Sequence, residues 1–260
     1  MKSLMSITCL LIALLLHPAL PQDAMSGVVS SGKLDAILQT RVRHYTLSAD
    51  SFLQALTMVA GEFRIPMGIQ WAPSREALTR INLTWTDSTV RDIIKSIAGT
   101  QVGYKVSPSS GIVHILPENA EADQRNFLNL KIKDFDVQGA LFAIATLRLE
   151  ELARQAVSRS RAGRTAPGTG AGLNIGSTPG EPLVTIHLEE GAVSQALDAL
   201  TLHSDRKIWI VTFCDECGFT PTGFRRTIQL WTATVPTDDL QPVWNSFTWG
   251  EQIPSNGLRR

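Results

Sequence analysis

The sequence predicts an α+β fold: two small modules of β-α-β-β-α-β type, each a mixed sheet packed on two helices, the second divergent and carrying a Gly-rich insertion. Three observations point there. Short runs alternate apolar residues at every second position, as in Ile81, Leu83 and Trp85, the period of a half-buried strand. Each such run leads into a stretch with apolar residues at helical spacing, as in Val90, Ile93, Ile94 and Ile97. Finally, INLTWTDSTVRDIIKSIA (81–98) lies over VTIHLEEGAVSQALDALT (184–201) without a gap, at an offset of 103. Ile81, Leu83 and Trp85 fall on Val184, Ile186 and Leu188, and Val90, Ile94 and Ile97 on Val193, Leu197 and Leu200, alike in apolar character rather than identity.

Taken in order, residues 1–26 read as a secretory signal peptide. Lys2 gives a positive start, Leu10–Leu16 is an apolar run too short to span a bilayer, and Pro18 and Pro21 follow. Residues 41–48 then read as a strand, and 50–63 as a helix with Phe52, Leu53, Leu56, Val59, Ala60 and Phe63 on one face, capped by Ser48 or Asp50. After Pro66 come strands over 67–71 and 80–86, and a helix over 89–98 capped by Asp87 or Ser88. Strands 102–107 and 111–116, joined through Pro108 and Gly111, close the first module as a hairpin.

The second module predicts a strand over 127–135 with Phe127 or Leu128, Leu130, Ile132 and Phe135 inward, then a helix over 137–157. Six glycines and three prolines within 158–182 bury too little apolar area to offset ordering, so that segment is expected to be a flexible loop, basic at its start through Arg154, Arg159, Arg161 and Arg164. A strand over 183–189, a helix over 192–204 and strands over 207–213 and 226–235 follow, with a helical turn within 238–247. The modules span 41–117 and 127–235, leaving 236–260 as a tail. Lys plus Arg equals Asp plus Glu at 24 each, so bulk charge points to neither an acidic nor a basic partner, and nucleic acid is not expected.

YTLSADSFLQALTMVA (45–60), followed by INLTWTDSTVRDIIKSIAGTQVGYKVSPSSGIVHIL (81–116), resembles the secretin and TonB short N-terminal domain. Tyr45, Leu47, Phe52, Ala55 and Leu56 match the family's opening; Thr89, Val90, Ile93, Ile94 and Ile97 its second helix; Gly99, Thr100, Val102, Tyr104, Gly111, Ile112 and Val113 its closing hairpin. The match covers about 75 residues, 43–117, and departs from the pattern at Trp85, where Gly is common, and at GTQV in place of GTGL. The resemblance implies a periplasmic interaction domain that docks an envelope protein. Its parent proteins carry an outer-membrane barrel, for which the 47 residues after 213 are too few, so a stand-alone relative is expected.

Cys214 and Cys217 (CDEC) are the cysteines left after signal cleavage. In an oxidising compartment a disulfide between them is the first reading, with thiol-redox work and metal binding as alternatives. No GxSxG, HExxH or Walker pattern is present, and Ser30–Lys33 fits SxxK only within an N-terminal stretch read as flexible. His44, His114, His187 and His203 read as surface or half-buried structural residues. No catalytic residue, metal ligand or cofactor is therefore expected.

The expected function is that of an exported, non-enzymatic adaptor or sensor in the periplasm, with any outer-membrane association peripheral. Strand 41–48, with Arg41, Arg43 and Tyr45, is the candidate edge for adding to a partner's sheet. Trp231, Trp244 and Trp249 fit cover for the second core, while Trp244 and Trp249 are also candidates for partner contact. The alternative function is binding of an anionic or glycan ligand between the modules through the arginine-rich loop and the C-terminal tryptophans.

Overall fold

A computed structural model describes residues 31–71, 80–123, 126–160, 183–203, 208–214, 225–233 and 244–252. The chain is α+β, and its elements are α1 (Ser31–Leu38), β1 (Arg41–Ala49), α2 (Phe52–Glu62), β2 (Met67–Trp71), β3 (Ile81–Thr89), α3 (Val90–Ala98), β4 (Tyr104–Ser109) and β5 (Ile112–Pro117). After one 3-10 turn (Phe127–Asn129) come β6 (Lys131–Ala140), α4 (Phe142–Ser160), β7 (Val184–Ala192), α5 (Val193–Leu202), β8 (Ile208–Cys214), β9 (Arg225–Ala233) and β10 (Trp244–Gln252). No helix among the described residues is long and apolar enough to cross a membrane.

The repeat read from the sequence is carried by the backbone. β3 and β7 have the same bounds under the offset of 103, and each leads directly into its helix. β1 pairs antiparallel with β3, Arg41 opposite Thr89, and β6 pairs antiparallel with β7, Lys131 opposite Ala192. The same bond closes both units: Val90 N–H donates to the Thr40 carbonyl at 3.1 Å, and Val193 N–H to the Leu130 carbonyl at 3.0 Å. Both first strands also break phase at the corresponding place. The residues packed against the helices step from Val42 to Tyr45 in β1 and from Ile132 to Phe135 in β6, three positions instead of two. A left-handed residue sits at each break, Asp87 (φ 50°) in β3 and Asp134 (φ 55°) in β6. In β6 this residue rotates the strand and turns Phe135 inward, whereas in the first unit it lies on β3, the strand paired with β1 at the break.

The two units are not separate bodies. A six-stranded sheet in the order β10-β9-β8-β2-β5-β4 joins them, with β2 of the first unit running parallel to β8 of the second. Alternate residues of the central strands feed two cores on opposite faces. Met67, Ile69, Val113, Ile115, Ile208 and Ile210 pack with α2, α3, β1 and β3. On the other face Leu116, Trp209 and Val211 pack with α4, α5, β6 and β7. The layers are therefore a two-stranded sheet, two helices, the shared sheet, two helices and a second two-stranded sheet. Every residue of β2 is buried, as expected of a strand covered on both faces.

Gly68 makes the junction possible. It lies opposite Trp209 in the β2–β8 register, and a Cβ there would fall within the van der Waals envelope of indole atoms Cε2 and Cζ2. Only a bare Cα lets the fully buried indole lie across β2.

Several local expectations change. Ser31–Leu38 is a helix rather than a flexible stretch, seated through Leu34 and Leu38 in the first core; Lys33 is exposed on it, and Ser30 lies outside the described residues. The caps shift: Ser51 accepts from Gln54 N–H at 3.2 Å, and Thr89 from Asp92 N–H at 3.2 Å. Asp92 in turn accepts from Thr89 N–H at 3.4 Å, completing a capping box. The hairpin turn is Ser110-Gly111, with φ of 51° and 86°, the left-handed pair of a two-residue type I′ turn, while Pro108 sits within edge strand β4. Phe127 and Leu128 lie in the 3-10 turn instead of a strand, because Asn126 accepts from Leu128 N–H at 3.1 Å and curls the chain. Val137 to Ala140 continue β6, so α4 begins at Phe142 rather than at 137. Of 238–247, expected to include a helical turn, residues 238–243 lie outside the described residues and 244–247 belong to β10, whose pairing with β9 places a strand in the stretch read as a tail.

Candidate docking edge and the cleft between the units

β1 pairs with β3 and with no other described strand, so one edge of its backbone is unpaired among the described residues. The outward face of this two-stranded sheet is polar. Ser48 donates to Asn82 Oδ1 at 2.7 Å, and the Thr46 and Thr84 hydroxyls meet at 3.4 Å, with His44 3.4 Å from Thr46. Arg41 and Arg43 are exposed at the start of the strand. Tyr45 differs from them: it is half-buried, stacked on Trp85 with ring centroids 5.8 Å apart and tilted against Phe63 at 5.4 Å. Burial pushes its phenol pKa up, and the Glu62 carboxylate adds to that. Of the three β1 residues singled out, the two arginines are presented to solvent and Tyr45 closes the core.

The other candidates fall apart in space or outside the described residues. Trp244 and Trp249 lie on β10, opposite Ala233 and Ile228 of β9, at the edge of the shared sheet. Cys214 ends β8, and Cys217 lies outside the described residues, as do Arg161, Arg164 and most of the Gly-rich segment. Arg154 is on α4, bonded to Glu151, which it holds below the usual carboxylate pKa together with Gln155.

A cleft of about 240 Å³, lined by both polar and apolar groups, opens between β4 and β5 on one side and α5 on the other. α5 brings Asp198 to one wall and β5 brings His114 to the other. His114 Nε2 lies 3.0 and 3.1 Å from the two Asp198 carboxylate oxygens, both side chains being mostly buried. Trp209 Nε1–H donates to the same carboxylate at 2.8 Å. With Nε2 facing an acceptor, the neutral imidazole carries its proton there and leaves Nδ1 as acceptor. Asn126 closes the floor, donating to Gln70 Oε1 at 2.8 Å and to the Ala120 carbonyl at 3.0 Å.

His114 keeps the half-buried structural character expected of it; its partners Asp198 and Trp209 were not foreseen. Asp198 stands 84 positions along the chain, and no motif links the two. Ser107 and Ser194 line the cleft as well, but among the described residues no serine hydroxyl bonds to His114. The carboxylate–imidazole pair joins β5 of the first unit to α5 of the second. No family model, curated protein or solved structure matches the chain.

Proposed function

We propose that this chain is an exported, non-enzymatic docking module of the bacterial envelope, related to the secretin and TonB short N-terminal domain, that captures a partner protein along β1. The observation carrying this reading is that β1 presents an edge unpaired among the described residues, flanked by exposed Arg41 and Arg43, on a unit with its own core over 41–117. An extended partner segment adds to such an edge through main-chain hydrogen bonds, and alternate side chains set specificity. The strand order of that unit, β-α-β-β-α-β-β, is the order that the resemblance implies. The second unit stiffens the first through the shared sheet. The signal-like residues 1–26 support a periplasmic site of action.

The test is affinity capture from detergent-solubilised envelope, with wild type beside an Arg41→Glu/Arg43→Glu variant of unchanged melting temperature. Recovery of one envelope protein by wild type and its loss with the variant supports the proposal. Equal recovery by both baits, or none by a folded wild-type bait, overturns it.

A further inference from the structure

The cleft between the units has the chemistry of a binding site. Gln70 is only 9% exposed, yet its side chain is half used. Asn126 donates through Nδ2 to the Ala120 carbonyl, which fixes which end of that amide is nitrogen, so the atom it meets on Gln70 is Oε1. Gln70 Nε2 is left as a donor without a partner among the described residues, on a side chain that lines the cleft. This side chain thus turns its amide donor to the open space of the cleft, where an incoming acceptor can meet it. Around it stand the hydroxyls of Ser107, Ser109 and Ser194, and the carboxamide of Gln195, whose Oε1 accepts from Ala192 N–H at 2.7 Å while its Nε2 is the remaining donor.

Charge narrows the ligand class. Among the described residues no lysine or arginine lines the cleft. Its two carboxylates are already engaged, Glu121 by Lys105 at 2.7 Å and Asp198 by His114 and Trp209. Among the described residues an anionic ligand would find no free cation, and a cationic one no free carboxylate. Hydroxyl and amide groups of both donor and acceptor type remain, which is what a polyhydroxylated neutral molecule requires. The volume lies below the ~300–1,000 Å³ typical of drug-sized ligands. We propose that the inter-unit cleft binds a neutral, hydroxyl-rich molecule of monosaccharide size, gripped by Gln70, Ser107 and Ser194. This goes beyond the docking reading and does not rest on it, since neither Arg41 nor Arg43 lines the cleft.

The indole N–H of Trp209 at the cleft wall is a built-in reporter. The full chain, 15N-labelled, is titrated with glucose, galactose and N-acetylglucosamine, with glucuronate and glucosamine as charged counterparts; the Trp209 resonance is assigned by Trp209→Phe. At least one neutral sugar is expected to shift the Trp209 indole and a Gln side-chain amide with saturation, binding about tenfold or more tighter than either charged counterpart. Ser194→Phe, which fills the cleft from the solvent side of α5, is expected to remove the shift while the melting temperature holds. Failure of all three neutral sugars to shift the reporter overturns the proposal, leaving a hydrated cleft only. Equal binding of glucuronate overturns the assigned class, and sugar binding undiminished in folded Ser194→Phe overturns the site.

Discussion

Replacing Gly68 with alanine tests whether the two units share one packed junction. In a strand with room for a methyl group, alanine in place of glycine removes unfolded-state freedom and stabilises by about 0.4–1 kcal/mol. Gly68 does not have a left-handed φ, so backbone strain does not oppose the change. The obstacle is Trp209, whose Cε2, Cζ2 and Nε1 all lie where the methyl would go. Overpacking of this kind costs about 1–3 kcal/mol. If the indole moves aside, its bond to Asp198 is lost as well, leaving a buried N–H and adding about 1–3 kcal/mol. The net expectation is a loss of about 1–5 kcal/mol, a large share of the ~5–15 kcal/mol of an ordinary domain. Urea unfolding followed by far-UV circular dichroism gives the value, and Trp209→Leu supplies the background for a double-mutant cycle. Gly68→Ala should cost at least about 1 kcal/mol less in that background, because the clashing ring is gone. A stabilising or neutral Gly68→Ala, or a cost unchanged by Trp209→Leu, would refute the junction.

Other expectations concern single contacts. Asp198→Ala should cost about 2–4 kcal/mol in urea unfolding, since it strips acceptors from the Trp209 indole and from His114, whereas Asp198→Asn keeps an acceptor and should cost about 1 kcal/mol or less. Thr89→Ala removes a cap and should cost about 1 kcal/mol; Ala192→Thr, at nearly the same φ and ψ (−78°, 155° against −79°, 155°), should install the missing cap on α5 and raise stability by about 0.5–1 kcal/mol. Burial pushes the Glu150 carboxyl above its ordinary pKa of 4.5, with Glu151 adding to the rise and Arg154 opposing it. A raised folded-state pKa means that the stability tied to the protonated form is present below pH 4.5 and lost as pH rises through the folded value. Glu150→Gln should therefore melt higher than wild type at pH 7, and the difference should shrink below pH 4.5; an equal gain at both pH values would contradict the assignment.

The sequence exposed the repeat because burial and period coincide in β3–α3 and β7–α5: the same apolar positions face a helix layer in both. It did not expose the shared sheet. MGIQW (67–71) and the apolar stretch at 208–211 read as buried strands, but nothing in either run says that alternate residues serve different cores. The start of α4 was misplaced for a similar reason. Val137, Ala140, Leu141 and Ile144 have helical spacing, and pairing with β7 decides that Val137 and Ala140 belong to a strand. The tie across the cleft was hidden by distance along the chain, since His114 and Asp198 meet only after both units have folded. Gln70, a polar residue within an apolar run, was the one local sign that something polar faced the second unit.

Capture of an envelope partner along β1 is open to site-specific photocrosslinking in cells. A photoreactive residue is placed at exposed Thr46 on β1 and, separately, at exposed Thr185 on β7 of the second unit. Docking along β1 predicts a discrete adduct with one envelope protein from position 46, none from 185, and loss of the adduct with Arg41→Glu/Arg43→Glu. A folded, exported protein that yields no adduct from 46, or the same adduct from both positions, would contradict it.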